Sequence, residues 1–362
     1  MNVSLYYPFQ GLMNVVGWRG TIGKNRKRKS MRPILPMLLA ALSFSLTACQ
    51  PNAGEFDPPV SAEPSQISTP APSGELEIVS MPTLSLGPLP DFFDCVRESG
   101  GMLIASHRGG PAPGYPENAI ETLQYGLDQG ILVHEIDVAE SRDGVLFLMH
   151  DNTLGRTTTG NGFVADTDWE TIQSLNLKDN EGTLTDYTAP KLSDVLLWAK
   201  QTGAIVELDK KRTTSFRNII SHVRAAEAEE NTILITYNDD QAKEVARLAP
   251  ELMMTAGLNS RSHQDELEAA GINFDHVIAW MGISNPNPRA FQAIGYRGVE
   301  TAFGTLGRPG ERLDDEYWAD GDPSEFQALA DGGLTMLATD APYRVAEALE
   351  ADDIALAACA PR

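Results

Sequence analysis

Positive charge is scarce in this chain. Against 50 Asp and Glu it carries 28 Lys and Arg, a formal charge of −22 over 362 residues. Seven of those basic residues lie in the first 48 positions, where there is no acid, so the rest carries −29. So acidic a body is repelled by nucleic acid and by anionic lipid surfaces, which argues against both as partners. An anionic substrate would need local help from a metal or a focused Arg/Lys cluster. Nucleotide-binding loops are missing as well. Neither GxxxxGK[ST] nor GxGxxG occurs, which weighs against a nucleotide ligand. Long apolar runs are also lacking. The one marked run, PILPMLLAALSFSLTA, has sixteen residues, short of the ~20 a spanning helix needs.

That run follows the basic stretch KNRKRKSMR and ends in Leu46-Thr47-Ala48-Cys49. The order predicts a signal peptide over residues 1–48. The ending resembles a bacterial lipobox, in which Cys49 is lipidated and becomes the first mature residue. The expectation is therefore a periplasm-facing envelope protein attached to the membrane through Cys49 only. Gln50 after the cysteine points to the outer membrane. The alternative is an ordinary signal peptide that happens to hold a cysteine. Met31, just before the apolar run, is a second candidate start. Two cysteines remain, Cys95 and Cys359. In an oxidising compartment an even pair permits a disulfide; two isolated buried thiols is the other reading.

Residues 49–89 are rich in Pro, Ser, Ala and Glu and read as a disordered tether. From about residue 90 the texture changes. Strand-like runs are expected at 101–107, 132–138, 203–209, 232–238, 252–258, 276–282, 298–304 and 334–340. Each is followed by an amphipathic helical stretch, the first of them beginning at Glu117. Eight alternating units over 90–362 predict a (β/α)8 TIM barrel. One connection is too long. Residues 139–190 separate the second strand from the second helix, where two to six residues are usual, and predict a small inserted subdomain after strand 2. GVLFLMHD within it reads as an extra strand.

Barrel chemistry sits at the C-terminal ends of the strands. His107 and Arg108 close the first strand. Glu135 and Asp137 lie two apart on the second, so alternation turns both carboxylates to one face and sends His134 and Ile136 toward the helices. Two adjacent acids repel unless protonated or shared by a cation, which suggests an oxygen-lined site for Mg²⁺ or Ca²⁺. Otherwise one is paired to a lysine and the other is solvated. In VELDKKR, Glu207, Asp209 and Lys211 share a parity, so a third carboxylate and a cation reach the same side. His150, in the long insertion, is a candidate acid or base opposite His107. His222, His263 and His276 are expected to be structural or solvated.

The ordered series HRG, PEN, HEIDV, SRDGVLFLMHDNTLGRTTTGNG, PKLSDVLLWA and LATDAP resembles the glycerophosphodiester phosphodiesterase family over residues 101–342. The resemblance implies a (β/α)8 barrel, one divalent cation, and hydrolysis of small glycerophosphodiesters to sn-glycerol 3-phosphate and an alcohol. It implies His107 and His150 as the acid/base pair, His107 taken as base and His150 as acid. Arg108 and Lys211 become phosphate contacts, and Glu117 of PEN a group near the substrate. Glu135 and Asp137 become metal ligands. The third ligand is Asp209 if Asp209-Lys210-Lys211 matches the family's acid-x-Lys, and Glu207 in an ungapped alternative; Asp209 is preferred. VETAFGTLGR departs from the family's Trp-Thr-Val-Asn pattern, leaving its usual glycerol and leaving-group contacts open. Trp280 reads as an apolar wall or a core residue. Two rivals stand: a related barrel enzyme acting on intact phospholipids, and a non-catalytic phosphodiester-binding lipoprotein. A closed barrel would also bring the neighbourhoods of Cys95 and Cys359 together.

Overall fold

The computed structural model describes residues 86–360. The signal peptide expected over 1–48, the lipidated Cys49, the start at Met31 and nearly all of the 49–89 tether lie outside the described residues. Among the described residues no helix is long and apolar enough to cross a membrane.

The strands are β1 (Leu103–Ser106), β2 (Val133–Glu140), β3 (Leu146–Leu148), β4 (Asn176–Lys178), β5 (Leu184–Thr188) and β6 (Ile205–Lys210). They continue with β7 (Thr232–Ile235), β8 (Met253–Gly257), β9 (Val277–Trp280), β10 (Glu300–Gly304) and β11 (Met336–Thr339). Eight of them, β1, β2 and β6 to β11, pair in parallel, and β1 closes on β2. The result is the expected (β/α)8 barrel, each expected strand falling within two or three residues of its place.

The alternation of these strands stratifies the barrel interior. Leu103, Val133, Ile205, Ile233, Met253 and Ile278 belong to one buried apolar cluster at the N-terminal end. Two residues further along β2 and β6 come Glu135 and Glu207, paired across the strands, and two further Asp137 and Asp209, also paired. The alternate residues Ile136, Val138, Val206 and Leu208 pack outward against Leu192, Val195 and Ile219 of the surrounding helices. His134 faces the same way. Its ring lies edge-on to Trp198, Nδ1 lies 2.9 Å from Ser106 Oγ, and burial pulls its pKa down to about 4.

A helix over Leu89–Ser99, not anticipated from the sequence, closes the N-terminal end by burying Leu89, Phe92, Phe93 and Val96 against the apolar layer. The last helix, Glu350–Cys359, packs beside it. Cys95 and Cys359 are joined as a disulfide, with Cα atoms 5.8 Å apart.

The insertion begins as β3, antiparallel to the end of β2, with Val138 opposite Leu148. The β4–β5 hairpin and a short helix, Trp169–Ile172, cover a cluster of its own containing Phe147, Met149, Leu154, Val164 and Leu177. The first helix after β1 corrects one expectation. It starts at Ile120, with Ala119 as its cap, rather than at Glu117. Asn118 sits at φ 60°, outside helical space, and its side chain is committed to β2.

Candidate active site

The end of β1 turns sharply. Arg108 adopts a left-handed conformation (φ 53°), uncommon for a side chain of this size. That turn aims its backbone N–H at Glu135 Oε2, 2.7 Å away. Gly109 and Gly110 follow at φ 82° and 80°. A Cβ at Gly109 would lie 2.5 Å from Leu123, and one at Gly110 2.9 Å from the Tyr343 hydroxyl, so both positions need glycine. The local strain of HRGG is thus spent on orienting a carboxylate.

Glu135, Asp137 and Asp209 form a group whose oxygens lie within 4.8 Å of one another. The parallel register sets Asp209 beside Asp137 and leaves Glu207 one layer deeper, beside Glu135. The structure therefore groups Asp209, not Glu207, with the strand-2 acids. Asn118 holds Asp137 from both sides: its amide donates to Oδ2 (2.7 Å), and its carbonyl accepts from the Asp137 backbone N–H (2.8 Å). Tyr237 donates its hydroxyl to Asp209 Oδ2 at 2.7 Å. Lys211 pairs with Asp137 and, at 2.6 Å, with Asp209.

Charge is divided unevenly in this group. Burial, reinforced by Asp137, raises the pKa of Glu135. Burial also works against the Asp137 carboxylate, but Lys211 and Asn118 bring its pKa below the ordinary value. Glu207 has no such partner, and burial pushes it up to about 8. Asp209 Oδ1 is buried and has no hydrogen-bond partner. Three converging carboxylates, one with an unsatisfied oxygen, suit a hard divalent cation.

Two histidines line the same cavity, about 470 Å³ in volume, and each is backed by an aspartate. His107 Nδ1 lies 2.6 Å from Asp340 Oδ1, and His150 Nδ1 2.7 Å from Asp151 Oδ1. A carboxylate at Nδ1 accepts the proton carried there and leaves Nε2 as the nitrogen free to take or give a proton. Each aspartate is itself held by an arginine. Arg312 Nη1 lies 2.9 Å from Asp340 Oδ2, and Arg156 Nε donates to Asp151 Oδ2 at 2.7 Å. Asp340 also accepts the Gly307 N–H at 2.9 Å. The Arg156 hydrogen bonds hold Asp151 down at about 2. Asp340 reaches about 2 as well, where burial opposes ionisation but His107, Gly307 and Arg312 outweigh it. Burial likewise works against the charged form of His107, yet Asp340 and Glu135 raise its pKa above the ordinary value.

The remaining site residues are distributed less simply. His107, Glu135, Asp137, His150, Asp209 and Lys211 share the cavity, but Arg108 and Glu117 do not line it. Glu117 is buried and its carboxylate is taken by two guanidiniums. Arg108 Nη1 donates to it at 3.1 Å, and Arg156 donates twice at 2.8 Å. This corrects the expectation of Glu117 as a substrate contact: it anchors the two arginines. The opposite wall is apolar, formed by Ile235, Trp280, Ile283 and Leu306, so Trp280 is a wall residue. His222 and His263 lie outside this cavity, their ring nitrogens on Asn218 O and Asp239. Asn118, Asp151, Arg156, Tyr237, Arg312 and Asp340 were given no role from sequence. The motifs PEN, HDNTLGR and LATDAP contain four of them, but their contacts come from the fold.

A (β/α)8 barrel with an acidic cation-type site and two aspartate-backed histidines at its strand ends defines the class of this protein. Residues 107–264 match the model of the glycerophosphoryl diester phosphodiesterase family. Over that stretch the chain is similar to that family. A curated glycerophosphodiester phosphodiesterase of Caldanaerobacter subterraneus is 28% identical over 41% of this chain and 64% of its own length. A solved glycerophosphoryl diester phosphodiesterase from Parabacteroides distasonis superposes with a TM-score of 0.62 at 28% identity, over 77% of this chain and 95% of that one. A phosphodiesterase from Oleispira antarctica, solved in complex with its product sn-glycerol 3-phosphate, shares the fold at 21% identity and a TM-score of 0.53, over 70% of this chain and 98% of that one. The chain spans less than two thirds of the length of the curated relatives it matches.

Proposed function

We propose that this protein hydrolyses glycerophosphodiesters to sn-glycerol 3-phosphate and an alcohol, with one divalent cation, Mg²⁺ or Ca²⁺. The observation that carries the reading is that His107, His150 and the Glu135–Asp137–Asp209 group line one cavity. Acid, base and a cation site in one pocket are the parts a phosphodiester hydrolysis needs. The Oleispira antarctica complex supports sn-glycerol 3-phosphate as the product.

When bound, the cation supplies positive charge that draws a phosphate oxygen and offsets charge developing on phosphorus. Glu135, Asp137 and Asp209 would hold it, and Asn118 and Tyr237 fix two of those carboxylates. Lys211, which lines the cavity and would be released from Asp137 and Asp209, is the chain's own phosphate contact, and the Arg108 guanidinium, held by Glu117 outside the lining, would join it only by turning inward. His107 Nε2 takes a proton from the nucleophile, water or the glycerol 2-hydroxyl, and His150 Nε2 gives one to the leaving alkoxide; in the second case water then opens the cyclic phosphate to glycerol 3-phosphate. Asp340 and Asp151 keep both rings turned with Nε2 toward the cavity. A non-catalytic binder would not need these two backed imidazoles.

The Cys95–Cys359 disulfide supports an oxidising compartment, and with the Cys49 lipobox a periplasm-facing, lipid-anchored location. The test is release of glycerol 3-phosphate from glycerophosphocholine and related diesters by the full chain with Mg²⁺ or Ca²⁺. His107→Ala and Glu135→Ala are each expected to lower turnover by about 10³-fold or more while circular dichroism stays unchanged. A folded wild type that releases nothing with either metal defeats the reading. Preference for intact phospholipids in the same assay would favour the lipid-cleaving rival instead.

A further inference from the structure

A second concavity, of about 580 Å³, opens beside the catalytic one. Tyr237, Gly257 and Trp280 line both, so the two meet at the C-terminal ends of β7, β8 and β9. None of the catalytic histidines or carboxylates reaches it. Its far wall comes from the starts of three helices, Asp239–Leu248, Arg261–Ala269 and Pro288–Gly295.

The polar groups of that wall are mostly unspent donors. Asn238 and Asn287 cap their helices through Oδ1, which accepts from Gln241 N (3.0 Å) and Ala290 N (3.3 Å). Each amide therefore turns its NH₂ away from its helix, and neither NH₂ has a partner among the described residues. Asn259 has no side-chain partner there either. Arg297 gives one N–H to Gln264 at 3.2 Å and keeps the others. The lone carboxylate of the wall, Asp239, is already shared, with both oxygens 3.1 Å from His263 Nε2. Tyr237 presents an aromatic face that is 68% exposed.

Directed amide and guanidinium donors, a shared carboxylate and aromatic faces suit an alcohol carrying several hydroxyls, each of which both donates and accepts. They do not suit a quaternary ammonium. Such a cation needs an uncompensated anion or an aromatic cage, and here Arg297 would oppose it. We propose that this second cavity receives the alcohol half of the diester and selects a polyhydroxylated alcohol, a sugar or a cyclitol, over a quaternary ammonium alcohol. The proposal rests on the phosphodiesterase reading and adds the leaving-group class to it.

Gly257 offers a way to close the seam. A Cβ built on it meets no atom within 4 Å, so Gly257→Val adds a side chain at the seam with its Cβ free of clash. The experiment compares kcat/KM of the full, metal-supplied chain for glycerophosphoinositol, glycerophosphocholine and the methyl ester of glycerol 3-phosphate. The wild type is expected to prefer the inositol diester to the choline diester by about tenfold or more, a loss typical of donors left unpaired. Gly257→Val and Asn259→Ala should each remove most of that advantage, and Asn259→Ala, at a residue outside the catalytic cavity, should leave the methyl ester within about twofold. Equal or better turnover of the choline diester overturns the proposal, as does an Asn259→Ala variant that slows all three substrates alike. Failure of all three substrates in the wild type overturns the phosphodiesterase reading itself, and this proposal with it.

Discussion

The two ends of the barrel are made from the same strands and opposite materials. At the N-terminal end the inward residues of β2 and β6 are Val133 and Ile205, sealed by a helix, a second helix and a disulfide. At the C-terminal end, four residues on, they are Asp137 and Asp209, buried but lining the cavity. The apolar end gains from removing surface from water. The charged end holds its acids together only through partners: Lys211, Asn118, Tyr237 and the Arg108 backbone. Stability and chemistry are thus segregated along one set of strands, and changes at the two ends should be read by different measurements.

The largest expected effect lies at the charged end, in the two aspartates behind the histidines. The His107 side chain is 21% exposed and its partner Asp340 is clamped by Gly307 and Arg312, whereas His150 is 34% exposed and its partner adjoins it in the chain. Asp340→Asn is expected to lower kcat by about 10²- to 10⁴-fold, the range for losing a carboxylate that orients a catalytic imidazole. Because Asp340 raises the His107 pKa, the limb of the pH–rate profile belonging to His107 should also move to lower pH. Asp151→Asn should cost about tenfold, since solvent can partly replace its hydrogen bond. Equal losses would break the distinction between the two arms. Stopped assays across pH, with thermal melts of each variant, check both.

At the sealed end, Cys95→Ser should leave kcat at 25 °C unchanged and lower stability by roughly 2–4 kcal/mol, seen as a fall in Tm that reduction of the wild type reproduces. A loss of activity without a loss of Tm would contradict the segregation.

The smallest effect is one of pH. Asp352, at the sealed end, accepts one hydrogen bond, from Ile104 N at 3.2 Å, and burial pushes its pKa up to about 7. Unfolded, it would titrate near 4 (about 3.9). Below that value both states hold the proton. Between about 4 and 7 the unfolded chain releases a proton that the folded one keeps, so stability falls as pH rises, and it is flat above. Asp340 has the opposite sign. Its folded value of about 2 lies below the unfolded one, so its contribution is full above about 4 and is lost as pH falls toward 2. Urea denaturation of wild type and Asp352→Asn from pH 4.5 to 8 should show a steeper downward slope in the wild type, the slope left in the variant coming from Glu207 and Glu135. Parallel curves would mean that Asp352 is ionised in the fold.

Much of the site was legible before folding because it follows local rules. Strand alternation put Glu135 and Asp137 on one face, and the strand-end rule put His107 at the rim. What stayed hidden was whatever depends on partners far along the chain. Asp340 lies 233 residues from the histidine it orients, and no periodicity connects them. Glu117 looked like a substrate contact because it sits near the site in sequence, yet both of its oxygens are held by Arg108 and Arg156. The helix at Leu89–Ser99 was missed because its amphipathic run directly follows a Pro-rich stretch and precedes the first strand.

By itself, the sequence determined the eight strand–helix units and the parity of the carboxylates, because side-chain direction repeats every two residues in a strand whatever surrounds it, and its motifs singled out the two histidines. Only the tertiary structure decided that Asp209 rather than Glu207 joins Glu135 and Asp137, that Asp340 stands behind His107, and that a second cavity adjoins the first. Those are matters of register, closure and packing between distant segments, and they have values only once the barrel has closed.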